Sequence, residues 1–71
     1  MNRNIEERRR IGQRIAEERK ERGLTQQQLA DCSGIKQPHI ARIEGGVYSV
    51  GFDTLNEIAG AMGLKIDIVE R

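Results

Sequence analysis

A chain of 71 residues with one cysteine, one histidine and a net charge of +1 supports a single small domain and excludes both an internal disulfide and a zinc cage of cysteine and histidine ligands. Tyr48 and Phe52 are its only aromatic residues, too few for the stacking platforms that hold single-stranded nucleic acid, so a duplex is the better nucleic-acid partner. A charged N-terminus and the lack of a long apolar run argue against a signal peptide and a membrane span; the expectation is a cytoplasmic protein without metal or cofactor.

The near-neutral total hides an uneven distribution. Residues 1 to 22 hold Arg3, Arg8, Arg9, Arg10, Arg14, Arg19, Lys20 and Arg22 against five glutamates. Beyond Gly46 the only cations are Lys65 and Arg71, set against Asp53, Glu57, Asp67 and Glu70. One end of the molecule therefore suits phosphate and the other suits protein.

In chain order, Ile5, Ile11, Ile15, Ala16 and Arg19 recur at steps of a helical face, which predicts a first helix from about Glu6 with Gly23 as its stop. The run Arg8, Arg9, Arg10 on that helix reads either as a solvated face or as phosphate contacts. Thr25 is an N-cap for a second helix starting at Gln26. With Gln28 three residues on, it makes a capping box, and Leu24 is placed to staple onto Leu29 or its neighbours. That helix buries Leu29 and Ala30, passes Cys32, which reads as inert, and ends at Ser33 before Gly34.

A third helix is expected from Lys36 to Glu44, with Ile40 and Ile43 inward and Gly45 and Gly46 closing it. Pro38 falls in its first turn, where a missing N–H costs nothing. After a loop at 47–51, Phe52, Leu55, Ile58, Ala59 and Met62 mark a fourth helix ending at Gly63, capped by Gly51 or Asp53. Leu64, Ile66 and Ile68 then alternate with Lys65, Asp67 and Val69 at strand period. No other segment reads as a strand, so the expected partner is the same strand of a second copy, with Ile66 and Ile68 at the dimer contact.

Two short helices joined by a glycine-containing turn have the geometry of a DNA-binding helix-turn-helix, running here from Gln26 to Ile43. Ala30, Gly34, Ile40 and Ile43 supply the small residue, the turn and the inward apolar positions that it needs. The segment QQQLADCSGIKQPHIARIEGG, preceded by RGLT and followed by DTLNEIAGAMGL, resembles the Cro and phage-repressor (XRE-type) helix-turn-helix family over residues 11 to 64. The resemblance implies an all-α, lambda-repressor-like bundle of four to five helices and recognition of a palindromic operator by a dimer. With the short C-terminal strand as dimerisation tail over 65 to 71, residues 1 to 71 form one domain.

Residue by residue, the resemblance implies that Lys36, Gln37 and Arg42 read bases. Glutamine suits adenine, and arginine or lysine suits guanine, each pair worth roughly 1–3 kcal/mol of discrimination. Gln26 matches a phosphate-binding glutamine, with Thr25, His39, Tyr48 and Ser49 as further phosphate contacts, and Arg19 and Glu44 match a structural ion pair. Pro38 stands where the family often has another polar reader, which points to contact with a thymine methyl instead.

The function expected is a dimeric repressor acting by operator occlusion. The alternatives are the antitoxin of a toxin–antitoxin pair and a protein-interaction module on the same fold. An enzyme is rejected, because the sequence offers no nucleophile–base pair, carboxylate dyad or metal cluster for a shared pocket.

Overall fold

A computed structural model describes residues 3–47 and 49–71. Four helices follow in order: α1 (Arg3–Glu21), α2 (Gln26–Ser33), α3 (Gln37–Gly45) and α4 (Phe52–Ala61). The expected all-α architecture is observed, and none of the described helices is long and apolar enough to cross a membrane.

Local chemistry sets the boundaries. Thr25 Oγ1 accepts from the Gln28 N–H at 3.0 Å and Gln28 Oε1 accepts from the Thr25 N–H at 2.8 Å, so the reciprocal capping box satisfies two donors that the helix itself leaves open. Gly34 ends α2 in the left-handed region at φ 78°, donating to the Ala30 carbonyl, a conformation that costs a side-chain-bearing residue. Lys36 proves to be the N-cap of α3 rather than its first residue, and Pro38 is the second residue of the helix, where its ring clashes with no preceding turn. Gly51, not Asp53, caps α4, which ends two residues before Gly63, at Ala61.

Leu29, Ile40 and Ile58 are fully buried at the centre, one each from α2, α3 and α4, and Ile15 from α1, Ala30, Ile43 and Met62 complete the core. Leu24 packs on its edge. α1 and α3 cross closely because Gly12 is buried at the crossing, where a Cβ would run into the carbonyl oxygens of Ile43 and Glu44. Gly46, at φ 68°, sits equally close to α1, since a Cβ there would come within 2.8 Å of Arg9 Cα.

Residues 64–71 form no strand within the chain. Strand period needs a neighbouring strand for its backbone groups, and no described segment offers one. The tail instead lies along a groove between α1 and α4 lined by Ile11, Ile15, Leu55, Ala59 and Met62. Ile66 is half-buried there, whereas Ile68 is 97% exposed.

Candidate nucleic-acid interface

The N-terminal ends of α2 and α3 lie side by side and are joined by side chains. Arg19 of α1 donates from Nε to Glu44 Oε2 at 2.8 Å and from Nη2 to Glu44 Oε1 at 3.0 Å, while its Nη1 donates to the Leu24 carbonyl at 2.8 Å. Both partners are shielded, with side-chain exposures of 11% and 7%. Burial pushes the Glu44 pKa up, but the hydrogen bonds from Arg19 and Gln26 outweigh it and hold the carboxyl below the ordinary glutamate value. The hydrogen bond to Glu44 raises the Arg19 pKa, so the pair is fully ionised at neutral pH.

The chain of contacts then continues toward the surface. Gln26 Nε2 donates to Glu44 Oε1 at 3.0 Å, and Gln37 Nε2 donates to Gln26 Oε1 at 2.9 Å. A carboxylate only accepts, so the Gln26 amide must turn its NH2 to Glu44 and its oxygen to Gln37. That in turn fixes Gln37: one Nε2–H goes to Gln26, while the second Nε2–H and Oε1 bond to no described residue. A donor and an acceptor side by side are what the N7 and N6–H2 edge of adenine requires.

The first turns of α2 and α3 carry no acidic residue of their own, although α1 and α4 carry Glu6 and Asp53 there. Carboxylates at helix N-termini stabilise by neutralising the positive end of the backbone dipole. At the start of α2 the carboxylate present is instead that of Glu44, held by Gln26 and Arg19.

Of the residues expected to read bases, Lys36 and Arg42 are exposed and Gln37 is half-buried against Gln26. Pro38 is exposed beside Gln37. Of the expected phosphate contacts, Thr25 and Ser49 are exposed and Gln26 is half-buried. His39 is half-buried with its Nε2 shielded from solvent, and Tyr48 lies outside the described residues. Cys32 is an exposed free thiol.

Two features escape sequence reasoning. The contact between Gln26 and Gln37 joins residues eleven apart on different helices and leaves no periodic trace. Gly12 had a visible signal, a glycine inside a helical pattern, where its entropic cost implies a reason such as close approach of another backbone.

These elements define a helix-turn-helix domain. The helix-turn-helix family model matches residues 15–69, and the chain belongs to the Cro/phage-repressor branch of that family. It is 41% identical over 59 residues to an immunity repressor protein of Bacillus phage phi105, covering 83% of this chain and 41% of that protein. An uncharacterised HTH-type transcriptional regulator of Haemophilus influenzae is 41% identical over 51 residues, 72% of this chain and 52% of the relative. Another, from Methanothermobacter thermautotrophicus, is 43% identical over 49 residues, 69% of this chain and 71% of the relative. The chain thus spans about half or less of the first two. No solved structure matches it.

Proposed function

We propose that the chain is a sequence-specific DNA-binding transcriptional regulator that places α3 in the major groove, binds a palindromic operator as a homodimer, and represses by occluding it. The observation that carries this reading is the hydrogen-bond chain from Arg19 through Glu44 and Gln26 to Gln37. A buried ion pair dictates the orientation of two amides, so Gln37 presents its donor and acceptor in one defined arrangement before any ligand arrives. Preorganisation of this kind lowers the ordering cost of binding.

In this reading Gln37 pairs with adenine, Arg42 and Lys36 with guanine, and Pro38 contacts a thymine methyl. Gln26, Thr25, Ser49 and His39 meet the phosphates that flank the groove, with the N-terminus of α2 adding backbone donors. Two copies related by a two-fold axis address half-sites about one helical turn apart or a multiple of it, with the tails pairing through Ile66 and Ile68. Likeness to a phage immunity repressor favours repression over the antitoxin role.

The test is selection of bound duplexes from a random pool, followed by the same selection with Gln37→Ala and Arg42→Ala. Each variant is expected to lose preference at one position of each half-site, by roughly 1–3 kcal/mol. Unchanged sequence preference in both variants refutes the assignment.

A further inference from the structure

A recognition helix lying in the major groove is bordered by a phosphate strand on each side. The N-terminus of α2 faces one border. The other falls to the segment that leaves α3, and residues 46–52 contain no lysine or arginine. A duplex binder with no cation at that border would forgo the largest sequence-independent contribution to its affinity.

The missing charge is supplied from α1. Gly46 lacks a side chain, and α1 approaches so closely there that a Cβ on Gly46 would come within 2.8 Å of Arg9 Cα and 2.9 Å of Arg9 Cγ. The stem of Arg9 therefore lies directly over the C-cap of α3, and the residue is exposed. Arg8, one residue back, lines a shallow cleft with Ser49 and Val50 on the same loop, and the Glu7–Arg10 ion pair lines it too.

The neighbouring cations of α1 are paired with carboxylates of their own helix. Arg10 donates to Glu7 at 3.0 Å, and Arg14 and Arg22 both pair with Glu18. Among the described residues no carboxylate pairs with Arg8 or Arg9. The arginine run is thus divided by pairing, not by place: all three members lie near the cation-poor loop, but Arg10 is neutralised by Glu7 of its own helix.

We infer that Arg8 and Arg9 form a phosphate clamp on duplex DNA, replacing in space the cations that the loop after α3 lacks in sequence. The inference rests on the DNA-binding reading above and adds to it a second backbone contact, made by α1. A different account of Arg9 is a cation placed at the C-terminus of α3, where it would favour the helix dipole and touch no ligand. That account predicts a loss of thermal stability with no effect on salt dependence.

The experiment measures the affinity of the whole chain for a duplex recovered by the selection described above, from 50 to 200 mM salt, for wild type, Arg9→Gln, Arg8→Gln/Arg9→Gln, Arg9→Lys and Arg10→Gln. Each lost phosphate contact lowers the slope of log affinity against log salt by about 0.9. The double variant should therefore lose about 1.8 from the slope, so that its affinity falls about 12-fold less than that of wild type across this range. Arg9→Lys and Arg10→Gln should keep the wild-type slope, and the ratio of specific to non-specific affinity should hold in every variant. A double variant that melts like wild type or lower and keeps the wild-type slope overturns the clamp alone. A wild-type chain that binds no duplex overturns the DNA-binding reading, and the clamp with it.

Discussion

Replacing Arg19 by Met tests how the helix-turn-helix is held to α1. Methionine retains most of the apolar stem but removes three donors, two to Glu44 at 2.8 and 3.0 Å and one to the Leu24 carbonyl at 2.8 Å. Glu44, 7% exposed, is left as a shielded carboxylate with one remaining donor, Gln26. Removing one partner of a shielded pair costs about 3–5 kcal/mol, and because Gln26 still serves Glu44 the lower end applies, about 3 kcal/mol. In a domain of this size that lowers Tm by about 12–24 °C.

The pH dependence sharpens the test. In the wild type the folded Glu44 pKa lies below its unfolded value, so its contribution is present above the ordinary glutamate pKa and lost as pH falls through the folded one. In Arg19→Met the main opposition to burial is lost and the Gln26 hydrogen bond remains, so the folded pKa moves up from its wild-type position and protonation costs the folded state less. Acidification therefore weakens the wild type more than the variant, and the gap in Tm should narrow below the ordinary glutamate pKa. Circular dichroism melts at neutral pH and at about pH 3 measure both effects. A deficit of only a degree or two at neutral pH, or one that stays constant on acidification, refutes the account.

Four further outcomes can be measured. Gly12→Ala places a Cβ against backbone carbonyls of α3 that cannot rotate away and should cost about 1–3 kcal/mol. Gly60→Ala, also helical but with nothing within 4 Å of the new Cβ, should instead gain about 0.5 kcal/mol, and chemical denaturation of the two separates crowding from helix propensity. Thr25→Ala removes one half of the capping box and should destabilise by about 1 kcal/mol in the same assay. On the proposed dimer, deleting residues 65–71 should yield a monomer with weaker operator binding, and a truncated chain that sediments as a dimer refutes pairing through the tail and favours an interface on α4.

The sequence by itself determined that there are four helices and where they lie to within a few residues, because those decisions are local, although α1 starts at Arg3 and not near Glu6, and α4 ends at Ala61 and not at Gly63. A threonine and a glutamine three residues apart cap α2 through their own side chains and backbone, Gly34 takes the left-handed turn, and Pro38 is tolerated only in a first turn. Inward positions such as Leu29, Ile40 and Ile58 were legible for the same reason, as helical period is a property of neighbours in sequence. What only the tertiary structure decided is which distant side chains meet. The crossing of α1 over α3, set by Gly12, brings Arg9 to the C-cap of α3. The side-by-side placement of α2 and α3 turns two glutamines eleven residues apart into one oriented pair. Residues 64–71 mark the remaining boundary: their strand period is plain in sequence, but a strand exists only where another supplies its hydrogen bonds, so the single chain lays the segment along α1 and α4.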